Sequence, residues 1–484
     1  MFRTIRTALI LMGISSGFAA YAPAAAQKGA VAALTSIGDA LNSPDHHPVH
    51  ILYVPGIGQL GAGNSVVFRD AICTRLNLCR KDDWKYAGAE FADKGEFADG
   101  APPPVLRYLG NTVWNNPEEW HASAPFVVHW VVHLRHYSSL LVLDELNWWP
   151  LVMALKCRYI VAPEAYLAGP DHNLIQVCAQ TSSQGTENPV RAYPWIEPDQ
   201  AARLEAIRPK GLPVNRDLKN FLLDWELSDV LLATGPMGGV LRDGMRQLMA
   251  KSAAFDPNDA AASQASERYN WRAQLQAASG QAAVYDQEFV GVTHSLGSYL
   301  LYNTLTPEIA DAAAPELAAA ETKRIAAEDA AMQYIFARMS LSYFFANQLE
   351  LLEVTNLETA PAEPAAEMKS RGLAPPPPPP TSPAANFRSL VGRWQQLQAA
   401  FQAAIHPTDQ GARQKIQVVA LNDPSDVITW RVPRIGNVDV VNIDVQDAAH
   451  WFGLFEAPNA AHDNYAHNKT VLRILFDGAK HAAN

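Results

Sequence analysis

The sequence predicts an α/β protein built on a mostly parallel sheet flanked by helices, and three observations carry that expectation. Phe289 to Thr293 is a short apolar run suited to a buried strand, and Leu296, Tyr299, Leu300 and Asn303 then recur at helical spacing, so a strand passes directly into a helix at Ser295. Apolar runs at His50 to Val54, Phe126 to Leu134, Ser139 to Leu146, Lys415 to Leu421 and Val438 to Val445 have the length of strands, with helical or loop-forming stretches between them. Three side chains whose types cooperate in nucleophilic chemistry, Ser295, Asp426 and His462, each follow a strand candidate.

Composition bounds the rest. Of 484 residues, 48% are hydrophobic and 18% charged, which supplies a large core and excludes disorder as the main state. A formal net charge of -11 with no basic cluster argues against nucleic acid as a partner.

The amino terminus carries Arg3 and Arg6, then the apolar run Ala8 to Ala20, then Ala24, Ala25 and Ala26 before Gln27. That order reads as a secretory signal peptide over residues 1–26, leaving a mature chain of 27–484 that is periplasmic or secreted. Gly13, Ser15, Ser16 and Gly17 interrupt the apolar run, so it is a poor membrane span, and no later segment offers eighteen uninterrupted apolar residues. In an exported chain, Cys73, Cys79, Cys157 and Cys178 read as a disulfide framework with three possible pairings. Loop-closure entropy favours the two nearest pairs, Cys73 with Cys79 and Cys157 with Cys178.

Along the chain, the strand candidate ending at Val54 runs into Pro55-Gly56-Ile57-Gly58-Gln59-Leu60-Gly61. The Gly-x-Gly-x-x-Gly spacing raises a dinucleotide site, but Gly63 and Asn64 interrupt the helix such a site needs, and no acid ends a strand at the required distance. A glycine loop whose backbone N–H groups face a developing oxyanion is the better reading. His129, His133 and His136 sit in a Val- and Trp-rich strand, where positions four apart stand about 13 Å apart, beyond shared chelation. No metal and no cofactor is expected.

From Trp148 to Tyr285 the pattern changes to mixed helices and loops, clearest at Asp217 to Leu232 and Val240 to Ala250, so residues 150–285 are expected to form a cap or lid insertion. Trp148, Trp149 and Trp225 read as core before they read as pocket lining. Pro315 to Met339 is an Ala-rich amphipathic helix, and Leu341 to Leu352 a strand and turn around Asn347. Residues 359–386, with six prolines from Pro375 to Pro380, form a proline and alanine linker without core-forming content.

The chemistry concentrates in two places. Thr293-His294-Ser295-Leu296-Gly297 fits the small-x-Ser-x-Gly form of a nucleophile elbow, with Thr293 where Gly is usual. A serine there needs an imidazole to take its proton and a carboxylate to hold that imidazole's tautomer. Asp423 and Asp426 compete for the acid, and Asp426 is preferred because it lies beyond Pro424, where the chain can turn back toward the elbow. His450, His462 and His467 compete for the base, and His462 is preferred because it sits on a free loop several residues before the closing helix.

Nucleophile, acid and base in that chain order resemble an α/β-hydrolase of the esterase and lipase type. The resemblance rests on Leu52 to Gln59, Val292 to Gly297, Asp423 to Val427 and His462 to Val471, with Glu145-Leu146-Asn147-Trp148 and Ala346-Asn347-Gln348 also similar. Pro55 stands where such enzymes usually carry His. The resemblance implies an α/β-hydrolase sheet, Ser295, His462 and Asp426 as triad, and the backbone N–H groups of Leu296 and Ile57 as oxyanion hole. It implies a carboxylic ester, small-molecule or lipid, cleaved through an acyl-enzyme. The competing class is a binding or scaffolding protein on the same fold, with the proline-rich insertion as its contact.

Overall fold

A computed structural model describes residues 36–43, 46–57, 63–92, 124–156, 227–235, 238–255, 257, 287–305, most of 328–352, 417–426, 429–432, 439–446, 462 and 464–478. Eight strands form one sheet: β1 (Val49–Val54), β2 (Lys85–Phe91), β3 (Phe126–His133), β4 (Leu140–Asn147), β5 (Glu288–His294), β6 (Met339–Phe345), β7 (Gln417–Asn422) and β8 (Asp439–Asp444). Their order is β2-β3-β4-β1-β5-β6-β7-β8, with β3 antiparallel to both neighbours and every pair from β4 to β8 parallel. This is the α/β class with a mostly parallel sheet.

Parallel strands pack helices on both faces, so the central ones must be apolar without alternation. Val49–Val54 is buried at every position, as is Gln417–Asn422. Val49, Ile51 and Tyr53 point to one core; Leu52 and Val54 point to the other. Helices α1 (Ile37–Leu41), α2 (Val66–Leu76) and α7 (Lys469–Asp477) close the first face. Helices α3 (Trp149–Lys156), α5 (Gly238–Ala254) and α6 (Leu296–Leu305) close the second, and α4 (Ser228–Thr234) lies against α5.

The six strand candidates of the sequence all occur, within two residues at each end. Strand β2 carries no clean alternation. Gly88 there has φ +134°, and the register with β3 shifts between Tyr86 and Gly88. Within 150–285, the described helix α5 lies directly on the sheet and on α6, as part of the helical layer. The expected signal peptide over residues 1–26, residues 157–226 with Cys157, Cys178 and Trp225, and the stretch 359–386 lie outside the described residues. A disulfide joins Cys73 and Cys79 at the end of α2. Among the described residues no helix is long and apolar enough to cross a membrane.

The chain leaves β1 toward β2, β3 and β4 on one side, whereas from β5 onward it moves to the other. The carboxyl ends of β1 and β5 therefore form the point where the strand order reverses, the place where open α/β sheets bind ligands. Pro55 and Ser295 follow these two ends directly.

One polar row crosses the second core. His50 Nδ1 and His129 Nδ1 lie 2.8 and 2.7 Å from the two oxygens of Asp144, and all three side chains are fully buried. Glu90 stands 3.5 Å from His129 Nε2, and Phe255 stacks flat on the His129 ring at 4.1 Å. Burial alone would lower the His129 pKa; hydrogen bonds and charges of Asp144 and Glu90 outweigh it and raise it to about 9. Asp144 shifts the other way: desolvation opposes its charged form, and the two imidazoles more than offset that, so its pKa is lowered.

A group whose pKa is raised on folding stabilises fully below its unfolded value and loses that contribution as pH climbs through its folded value. The His129 contribution is therefore intact below about 6.5 and lost toward pH 9 and above. Asp144 adds stability above its unfolded value that disappears on acidification. Thermal unfolding from pH 7 to 10 should show a falling midpoint, and His129→Gln should lower the midpoint at pH 7 but flatten that slope. Equal slopes in the two proteins would remove His129 as the cause.

Candidate active site

The site begins with a backbone constraint at the end of β5. Ser295 has φ +52°, a left-handed conformation that a side chain with Cβ adopts at a cost of about 1 to 2 kcal/mol. Its N–H donates to the Phe345 carbonyl at 2.8 Å, and its own carbonyl accepts from the Ser298 N–H at 3.2 Å and Ser298 Oγ at 2.9 Å. Those three bonds hold the turn closed. They leave the side chain aimed out of the ladder.

Two close approaches explain the small residues around it. A Cβ at Gly297 would stand 2.3 Å from the Val54 carbonyl oxygen and 2.9 Å from that of Pro55, so α6 packs against the end of β1 only with glycine there. A Cβ at Gly56 would meet Ser295 Cβ at 2.7 Å and His294 Nδ1 at 2.8 Å. The loop after β1 therefore touches the elbow directly. Thr293, where glycine was expected, is buried with its Oγ1 3.4 Å from the Tyr343 carbonyl.

Ser295 is fully buried and its Oγ has no hydrogen-bond partner among the described residues. A buried hydroxyl without a partner is uncommon, and such groups concentrate where chemistry needs them. The Leu296 N–H, first in α6, has no acceptor within its own helix, and the positive end of the helix dipole lies at the serine. Ile57 lies at the edge of the second core, half-buried.

Asp426 and His462 are brought together. His462 Nδ1 lies 2.9 Å from Asp426 Oδ2, and the same oxygen accepts from Thr429 Oγ1 at 2.6 Å. A carboxylate accepts only, so Nδ1 carries a proton and donates it to this bond. Nε2 is buried and bonds nothing among the described residues. Ser295 Oγ and His462 Nε2 are thus unoccupied and not bonded to each other. In resting enzymes such bonds are often long and tighten on substrate.

The rival residues take other places. The Asp423 Oδ1 accepts from the Ser425 N–H at 2.8 Å, which makes it a turn-capping group, and its own N–H donates to the Tyr465 hydroxyl at 2.6 Å. His467 ends the 3-10 turn Asn464–His467 ahead of α7. His450 lies outside the described residues.

His294, passed over in the sequence, links the parts. Its Nε2 lies 2.7 Å from the His462 carbonyl oxygen, so Nε2–H donates, and the two rings meet edge to face at 4.8 Å. Burial first, then the neighbouring His462, push its pKa down to about 4, and it stays neutral at ordinary pH. No second cation therefore competes with a charge forming on His462. Asn347 is the other link: its Oδ1 accepts from Ser298 Oγ at 3.1 Å and its Nδ2 donates to the Trp430 carbonyl at 3.1 Å, tying the elbow helix to the acid loop. Neither could be read locally, because His294 and His462 are 168 residues apart.

Backbone strain at Ser295 gives a direct test. Ser295→Gly and Ser295→Ala both delete the hydroxyl, but only glycine relieves φ +52°, so Ser295→Gly should be the more stable by about 1 kcal/mol after the entropy of glycine in the unfolded chain is counted. Denaturant titration of the pair measures the difference; a more stable alanine variant would show that the turn relaxes.

Chemically, the arrangement brings a hydroxyl, and an imidazole already bonded to a carboxylate, to the carboxyl ends of parallel strands. Set against protein-family models, curated proteins and solved structures, the chain matches none, so the reading of this site rests on its own geometry.

Proposed function

We propose that the chain is an exported serine hydrolase on an α/β-hydrolase fold, cleaving carboxylic esters of small molecules or lipids through an acyl-enzyme. The observation that carries this is Ser295, a left-handed residue between a central strand and a helix whose buried Oγ bonds nothing among the described residues. Strain of that kind persists only where the surroundings enforce it, and it concentrates at functional sites. The bonded His462 and Asp426 pair beside it supplies the partners such a serine needs. The order of the loops adds support: those after β1, β5 and β7 all open at the carboxyl edge of the parallel sheet.

In this mechanism Ser295 Oγ attacks the ester carbonyl carbon while its proton passes to His462 Nε2. The carbonyl pair becomes an oxyanion facing the backbone N–H groups of Leu296 and Ile57. Collapse expels the alcohol, which takes the proton from His462. Water then attacks the acyl group, gives a proton to His462, and the acid leaves as that proton returns to Ser295. Asp426 stays ionised throughout. It holds the ring and stabilises the imidazolium.

Labelling of the purified protein by a fluorophosphonate probe, lost in Ser295→Ala, is the expected first result. With a p-nitrophenyl ester, Ser295→Ala and His462→Ala should each lose on the order of a million-fold in kcat, and Asp426→Asn somewhat less. Asp423→Asn and His467→Gln should keep most activity, because Asp423 caps its own turn and His467 closes the 3-10 turn ahead of α7. An active Ser295→Ala would end the serine-hydrolase reading, and a folded protein inert to probe and esters would favour a binding role for the same fold.

A further inference from the structure

Strand β4 ends at Asn147 and runs through Trp148 into α3, and two groups of that stretch reach the loop that follows β1. Trp148, only 1% exposed, donates its indole N–H to the Pro55 carbonyl at 3.1 Å. Glu145 is fully buried, and its carboxylate accepts from the backbone N–H of Gly63 at 2.8 Å, Asn64 at 3.2 Å and Ser65 at 3.3 Å, and from Ser65 Oγ. Burying a carboxylate costs several kcal/mol unless donors surround it. Four donors and the amino-terminal end of α2 do so here.

The two contacts grip opposite ends of one loop. Trp148 holds the first carbonyl after β1, and Glu145 holds the backbone where the chain returns into α2. The peptide unit is planar and trans, with C=O and N–H on opposite sides, so a fixed Pro55 carbonyl fixes the direction of the Gly56 N–H. Gly56 is then pressed against Ser295 and His294 with no room for a Cβ. The peptide leading to Ile57 starts from a Cα that cannot shift.

We infer that Glu145 and Trp148 are positioning residues that preset the loop after β1, so that its backbone donors face the oxyanion above Ser295 before substrate arrives; this rests on the acyl-transfer reading proposed above. Neither side chain touches the reacting atoms. Each acts through the loop it holds. Donors aimed in advance at a developing oxyanion are worth about a hundredfold or more in rate, and a displaced donor forfeits part of that.

The test uses the full chain and four variants. Trp148→Phe keeps an aromatic ring and deletes the bond to Pro55; Trp149→Phe makes the same change one residue on, where the buried indole N–H has no partner among the described residues. Glu145→Gln keeps shape but sets an amide N–H against a row of backbone donors. Ser65→Ala removes one contact to Glu145 and leaves the rest, and serves if the others fail to fold. With a p-nitrophenyl ester, Trp148→Phe and Glu145→Gln should lower kcat roughly tenfold to a hundredfold with KM changed less than about twofold. Affinity for phenylboronic acid, which mimics the tetrahedral intermediate, should fall in step with kcat/KM, while affinity for the product carboxylate stays level and Trp149→Phe changes neither. A general loss of structure would move all of these together. Wild-type protein that labels with fluorophosphonate, beside folded Trp148→Phe, Glu145→Gln or Ser65→Ala with unchanged kcat and boronate affinity, overturns the inference alone. A wild-type protein that does not label overturns the acyl-transfer reading beneath it.

Discussion

A carbonyl oxygen of β1 lies 2.3 Å from where a side chain at position 297 would begin. That contact sets the geometry from which the rest of the site follows. It forces α6 tight against the central strands, which leaves the chain one residue in which to reverse from extended to helical, and Ser295 takes the left-handed conformation that does it. The same crowding brings the loop after β1 onto the elbow at Gly56. Ladder bonds to β6, through the Phe345 carbonyl, keep the turn from relaxing. Strain at one residue is thus distributed over three parallel strands.

Around that elbow the side chains act in pairs that bridge loops. His294 donates to the backbone of the His462 loop, Asn347 joins the elbow helix to the segment at Trp430, and Tyr465 receives the N–H of Asp423 while stacking on Phe345. The loops after β5, β6 and β7 are therefore cross-braced to one another and to the His462 loop. The Ser295 hydroxyl and the His462 Nε2, both without a partner among the described residues, are held inside such a frame at an energetic cost that the frame's own bonds offset.

Two imidazoles, His129 and His294, show how far neighbours decide protonation. His129 faces two carboxylates and is pushed up to about 9; His294 faces a carbonyl and a second imidazole and is pushed down to about 4. Burial opposes charge in both cases. The difference lies in whether an anion stands close enough to outweigh it, and that is set by register: His129 pairs directly with Asp144 across β3 and β4.

Much of the frame was legible in the sequence because it is local. Parallel strands buried on both faces must be continuous apolar runs, so β1, β3, β4, β5, β7 and β8 announce themselves, and a strand meeting a helix at a Ser-x-Gly marks the elbow. Strand β2 was not legible, since an edge strand with a bulge at Gly88 has no face that must be apolar along its length. Asp426 and His462 were legible as types at plausible turns; that these two meet, while Asp423 caps its own turn, is a matter of where β7 and the last loop lie in space. Glu145, Trp148 and His294 gave no signal of their positions, because a carboxylate, an indole and an imidazole read alike in any buried run until their partners are known. What the chain alone determined is the set of elements and the turn where the nucleophile candidate stands, since those depend on neighbours within a few residues. What only the tertiary structure decided is which polar groups pair across 82 to 168 residues of chain, because a buried polar group is tolerable only beside its partner, and the strand order alone brings the two together.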